Sequence, residues 1–241
     1  MDRLTCRASV LLALILAGCQ SRATAPTAPE AAAPPAVVSP ATPPPIDPTA
    51  LVDTFEFYVP RFPETRQLGD IAYRRLPGPR GEDLLYTFSW GADRPDHFLV
   101  ADISGDAFLM EDRTWGHSWG KFYRVDEGLL WLKRYMRVGD RFSSAAVMHA
   151  FWDDSCAPLK DSILYWAVSL ADHRYQDLGG DLGLVEVIEV SVLEETYLYG
   201  RDRAGQGLGL VGWRDSPARG GEWEFHNRWS DVTPPSPGGC R

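Results

Sequence analysis

Basic residues are scarce in this chain: 24 Lys and Arg stand against 33 Asp and Glu, for a formal charge of −9. That balance lacks the positive footprint that neutralises phosphates, which argues against nucleic acid as a partner. No polybasic run is present to meet anionic lipid. Motifs of catalysis are scarce as well. The histidines, His97, His117, His149, His173 and His226, never take the H-x-x-x-H spacing that lets two imidazoles on one helix face hold a metal. No G-x-S-x-G elbow and no G-x-x-x-x-G-K-[ST] phosphate loop occur. The glycine-rich run RDRAGQGLGLVGW at 201–213 invites a phosphate-loop reading, but no helical pattern follows it to present an N-terminus, so it reads as a turn between two strands. These absences point to no metal, no cofactor and no catalytic residue that the sequence can name. No internal repeat is present.

What is present begins at the N-terminus. Arg3 and Arg7 give a charged start, residues 8–17 are mostly apolar, and Leu16, Ala17 and Gly18 then precede Cys19. A charged region, a short apolar run and small residues at a cleavage point make a signal peptide over residues 1–18. The run is shorter than the roughly 20 residues a membrane-spanning helix needs. Leu16-Ala17-Gly18-Cys19 resembles the lipobox of bacterial lipoproteins. The resemblance implies that Cys19 is acylated, becomes the new N-terminus and anchors the chain in a membrane, as two or more acyl chains do stably. It also implies the outer membrane of the cell envelope, because Gln20 stands where an Asp would mark retention at the inner membrane.

Residues 19–50 form the lipidated N-terminus and a Pro/Ala linker, with nine Pro and nine Ala in residues 20–50. No apolar period exists there to bury a face and offset the ordering entropy, so the linker is expected to be disordered. At about 3.1 Å per residue in extended form its upper reach is about 95 Å. It reads as a spacer that lifts a domain off the membrane.

Residues 51–241 are expected to form a single β-rich globular domain with a flexible Pro/Gly-rich end at 234–239. Period-two alternation marks strands. Leu84, Tyr86, Phe88 and Trp90 share one face, and so do Tyr197 and Tyr199. In WEFHNRW, Trp223, Phe225 and Trp229 form an apolar set, with Glu224, His226 and Arg228 on a wet face. Further strands are expected at 97–103, 121–125, 129–137, 184–192 and 208–213, separated by turns such as Gly139-Asp140, Gly179-Gly-Asp181 and Gly205-Gln-Gly207. SAAVMHAFW at 144–152 fits a two-turn helix with a Ser cap, and helix or strand stays open there. DSILYWAVSLA at 161–171 fits either period, and its β-branched and aromatic content favours a strand. The fold class is mainly β, an antiparallel sandwich or open barrel with little helix. Glu195-Thr-Tyr-Leu-Tyr-Gly with Gly207-Leu-Gly-Leu-Val-Gly-Trp213, preceded by Met136-Arg-Val-Gly-Asp140, resembles the closing hairpin of a group of exported bacterial β proteins. That resemblance implies an antiparallel β fold without a catalytic site.

Few residues stand out as functional. Cys6 leaves with the signal and Cys19 is taken by lipid, so Cys156 and Cys240 are left to pair in an oxidising envelope. The alternative is Cys156 as a nucleophile with His149 as its base, and on a helix His149 could also meet Asp153. Trp115 and Trp119 flank His117 in WGHSWGKFY, and such rings can stack on sugar faces. The sequence thus points to a non-catalytic, membrane-anchored protein with a binding or structural β domain whose partner is an envelope protein or glycan. The alternatives are a glycan-binding module built on Trp115 and Trp119, and an envelope hydrolase whose Asp, Glu or His side chains converge only in the fold.

Overall fold

Alternating apolar and polar residues dominate the chain beyond residue 51, and strands are what they build. The computed structural model describes residues 42–63, 66–88, 97–110, 114–116, 121–125, 129–152, 155–193, 195–215 and 221–231. In chain order the elements are β1 (Val52–Asp53), α1 (Phe55–Tyr58), β2 (Arg66–Leu68), β3 (Ile71–Pro77), β4 (Glu82–Phe88), β5 (His97–Asp102), β6 (Ala107–Met110), β7 (Thr114–Gly116), β8 (Lys121–Val125) and β9 (Leu129–Lys133). They continue with β10 (Tyr135–Met136), β11 (Arg141–Trp152), β12 (Ser162–Asp177), β13 (Leu184–Val192), β14 (Glu195–Arg201), β15 (Gly207–Asp215), β16 (Glu224–Phe225) and β17 (Trp229–Asp231).

The protein is mainly β, and every strand pair described is antiparallel. One sheet runs in the order β16-β15-β14-β13-β12-β11-β8-β7-β5-β4-β3-β2-β17, with β6 pairing β5 and β9, while β1 and β10 form a separate pair. Most neighbours in the sheet are neighbours in sequence, so short turns fix the register. The sheet does not close into a barrel. Its two end strands, β16 and β17, are nevertheless separated by only residues 226–228, so the chain itself bridges the two ends.

Both faces of β13 are covered, which is why LVEVIEVSV carries apolar side chains of both parities. Ile188, Val190 and Val192 join a main core with Leu84, Tyr86, Phe108, Leu132 and Tyr199. Val185 and Val187 join a second cluster with Leu68, Leu178, Leu198, Leu208 and Val211. Trp223, Phe225 and Trp229 pack against that second cluster.

The short helix α1 lies against β14 and β15 and fills the main core. Phe57 and Tyr58 are buried, and the Phe108 ring sits 3.9 Å from both the Phe55 and the Tyr58 rings. Thr54 secures the entry to α1: its N–H donates to Arg134 O at 2.7 Å and its hydroxyl to Lys133 O at 2.9 Å. The Arg134 guanidinium forks onto the Asp53 carboxylate at 3.0–3.1 Å. On the other side the glycines of the 201–213 run do their work. A Cβ at Gly207 would stand 2.3 Å from Val59 O, and one at Gly209 would stand 2.7 Å from Pro60 Cγ. Gly209 also has φ +74°, a backbone region that side chains disfavour. The glycine spacing therefore serves close approach of α1 to β15.

One open reading is decided here and one expectation fails. Residues 144–152 are strand, not helix: Met148 to Trp152 pair with β8, and Arg141 to Met148 pair with β12. Ladder pairing on both sides outweighs the helix propensity of Ala and Met. The segment 161–171 does form a strand, within β12. The expectation that fails is the wet face of WEFHNRW. Strand pairing stops after Phe225, and the chain turns through 226–228 before β17. His226 is turned inward and only 5% exposed, with its N–H donating to Val211 O at 2.9 Å. It lies beside Gly69, where a Cβ would come within 2.8 Å of its Nδ1. Glu224 and Arg228 stay exposed.

Burial pushes the His226 imidazole below its ordinary value, against the opposing pull of Asp70. Truncation in urea unfolding is therefore expected to cost about 2 kcal/mol at pH 7 for His226→Ala. Below pH 6.5 the unfolded chain takes up a proton that the folded state resists, so this histidine's contribution declines as the pH falls. The gap between the wild type and His226→Ala should narrow from pH 7 to pH 5. A neutral variant would return His226 to the surface.

Candidate functional site

Two polar constellations emerge from this fold. The first lies beside the main core, across β12, β13 and β14, where the His173 ring meets Phe57 edge-on. The bulge in β12 between Leu170 and Asp172 sets His173 opposite Ile188, and the β13–β14 register sets Glu186 opposite Arg201. His173 Nε2 lies 2.7 Å from Glu186 Oε1, and Arg201 donates through Nε and Nη2 to the same carboxylate at 2.8 Å. Arg201 also bonds Glu56 on α1, and its guanidinium lies 4.7 Å over the Phe57 ring. Burial alone would raise the Glu186 carboxyl. The hydrogen bonds from His173 and Arg201, with the Arg201 charge, outweigh burial and lower it to about 2. A carboxylate held ionised in this way is a poor proton shuttle at neutral pH. The cluster is a clamp: it ties α1 to the sheet through Arg201.

The second constellation is a cleft of about 310 Å³ where the ends of the sheet come back together. Its walls come from the segment after α1 (Arg61, Phe62, Pro63), from Arg66 at the start of β2, from the β12–β13 turn (Asp181, Leu182), from the β14–β15 turn (Asp202, Gln206), and from Trp229 of β17. Val185 and Leu208 of the second apolar cluster also line it. Each wall is fixed by hydrogen bonds. Arg61 N–H donates to Gly207 O at 2.9 Å, and Asp181 N–H donates to Asn227 O at 2.8 Å. Asp181 Oδ2 accepts the Trp229 N–H at 2.8 Å, and Asp202 Oδ1 accepts the N–H groups of Ala204 and Gln206 at 2.9 and 2.8 Å. Phe62 meets the Trp229 ring edge-on at 4.9 Å, and the Arg66 guanidinium lies 4.9 Å over that ring.

Both carboxylates in the cleft are thus turn acceptors pinned by backbone N–H groups. The guanidiniums differ. Arg75, Arg80, Arg134, Arg174, Arg201 and Arg214 each pair with a carboxylate. Neither Arg61 nor Arg66 has such a partner among the described residues.

The residues singled out in the sequence fall elsewhere. Trp115 is placed in β7, its backbone between Phe98 of β5 and Phe122 of β8, but its side chain lies outside what is described. His117 and Trp119 lie outside the described residues, as do Cys19 and Cys240. Cys156 is exposed in the segment between β11 and β12, with φ 54° and its N–H donating to Trp152 O at 2.9 Å. His149 lies on a strand and meets Asp161 through Nδ1 at 3.0 Å. Among the described residues no group of three or more His, Cys, Asp and Glu could hold a metal ion. No family model, no curated protein and no solved structure matches this chain.

Proposed function

We propose that this chain is a lipid-anchored, non-catalytic protein of the bacterial outer membrane, whose β-rich domain acts by binding in the envelope. The observation that carries the binding half is the cleft at the joined ends of the sheet. It combines an aromatic wall, an apolar floor and polar groups held rigidly by backbone hydrogen bonds, the make-up of a preformed ligand site. Its carboxylates serve as fixed acceptors. The lipobox Leu16-Ala17-Gly18-Cys19 carries the anchoring half, and a Cys156–Cys240 disulfide belongs to the same reading, since such bonds persist in an oxidising envelope.

Anchoring is tested by growing cells that express the full chain or Cys19→Ala with an alkyne-bearing fatty acid. The wild type is expected to take up label and stay in the membrane fraction after a high-salt wash. Cys19→Ala should carry no label and move to the soluble fraction. A variant that stays membrane-bound would overturn the lipid anchor.

A further inference from the structure

We propose that the cleft between Arg61, Arg66 and Trp229 binds a phosphorylated sugar. This deepens the binding reading above and rests on it. The first argument is charge. In a chain of net charge −9, two arginines line one small cleft without carboxylate partners among the described residues. Asp231, the register partner of Arg66 on β17, makes no ion pair with it. A phosphate monoester carries about −1.5 to −2 charges at neutral pH and matches two guanidiniums better than a single carboxylate does. The second argument is position. The Arg66 guanidinium carbon lies over the Trp229 indole, 4.9 Å from the ring centroid, and a guanidinium held over an aromatic ring still has N–H groups to offer an oxyanion.

The third argument separates a sugar phosphate from a bare anion. Asp181 and Asp202 also line the cleft, and a site for phosphate alone gains nothing from acceptors of like charge. Hydroxyl donors would suit them, as they would suit Gln206. The apolar floor and the Phe62 ring offer a surface for the C–H side of a sugar. The volume, about 310 Å³, sits at the small end of ligand sites and fits one such ring with its phosphate. The phosphate can be part of a glycolipid headgroup or of a soluble sugar phosphate, since the cleft reads the same chemistry in both.

The test is calorimetric titration of the purified full chain, held in a polyoxyethylene detergent, with glucosamine 1-phosphate, glucosamine and inorganic phosphate. Glucosamine 1-phosphate is expected to bind saturably with Kd at or below about 1 mM. Glucosamine and inorganic phosphate should each bind about tenfold more weakly. Arg61→Gln and Arg66→Gln should each weaken glucosamine 1-phosphate about tenfold. A thermal melt of each variant checks the fold, and a melting temperature like that of the wild type assigns the loss to the site. In a second arm lipopolysaccharide competes: displacement of glucosamine 1-phosphate identifies a headgroup source, and retention identifies a soluble one. No saturable binding of glucosamine 1-phosphate, equal binding of glucosamine, or folded arginine variants that bind like the wild type would overturn the proposal. Saturable binding of a neutral N-acetylglucosamine oligomer with the phosphate probe silent would overturn it too, while leaving the binding-domain reading in place. The fatty-acid label reads the anchor independently of all these outcomes.

Discussion

Phe108→Ala is expected to destabilise the domain by about 3–5 kcal/mol, the range for truncating a fully buried phenylalanine. The Phe108 ring is completely buried and is held between Phe55 and Tyr58, both 3.9 Å away, on the helix that fills the main core. Removing it takes away the surface on which α1 sits, and the cavity cannot collapse readily because Tyr58 is already braced by Tyr86 and Tyr199. Ile163→Ala is the matched control. That side chain is 59% exposed on β12, so its loss should stay within about 0.5 kcal/mol. Urea unfolding of both variants makes the comparison. A Phe108→Ala cost no larger than that of Ile163→Ala would show that α1 does not pack on β6.

The same contrast explains what could be read in the sequence. Strands rich in β-branched residues and bounded by turn residues declared themselves: residues 184–192 were expected as a strand and form β13 over that span. Turn chemistry at Gly139-Asp140, Gly179-Gly-Asp181 and Gly205-Gln-Gly207 marked real connections between strands. SAAVMHAFW stayed open because Ala and Met favour helix while Val, Phe and Trp suit a strand, and only the neighbouring strands β8 and β12 decide the matter. Local pattern cannot carry information about a ladder partner far along the chain. The WEFHNRW segment did mislead. Its alternation continues through His226 and Arg228, but the pairing stops at Phe225, and a residue outside a ladder need not keep the face that parity assigns it. α1 was invisible, since four residues give no helical period.

The candidate site was hardest to see. Arg61, Arg66, Asp181, Asp202 and Trp229 come from five separate segments, and nothing in their spacing announces that they meet. The joining of the sheet's ends brings them together, and that is a property of the whole strand order rather than of any motif. Trp229 was legible as a buried-face aromatic, but its role as the platform under Arg66 was not. The same holds for Glu186, His173 and Arg201: a register and a bulge bring them into one cluster.

That cluster yields the second large effect. Glu186→Gln is expected to cost about 3 kcal/mol at pH 7, and the cost should shrink towards zero as the pH falls to about 2. The carboxyl drops from an ordinary value of 4.5 in the unfolded chain to about 2 in the fold. A group depressed in this way stabilises the fold fully above its unfolded value, and the contribution is lost as the pH falls through the folded one. Gln keeps the shape and can still accept from Arg201, so the variant removes the charge more than the packing. It leaves the Arg201 guanidinium with Glu56 as its remaining carboxylate. Glu56→Gln should cost much less, within about 1 kcal/mol, because its side chain is 44% exposed and water screens the pair. Urea unfolding of the wild type and both variants at intervals between pH 7 and pH 2.5 gives the two curves. If the Glu186→Gln gap stays constant across that range, the loss comes from packing, and the charge of Glu186 is not what clamps α1 to the sheet.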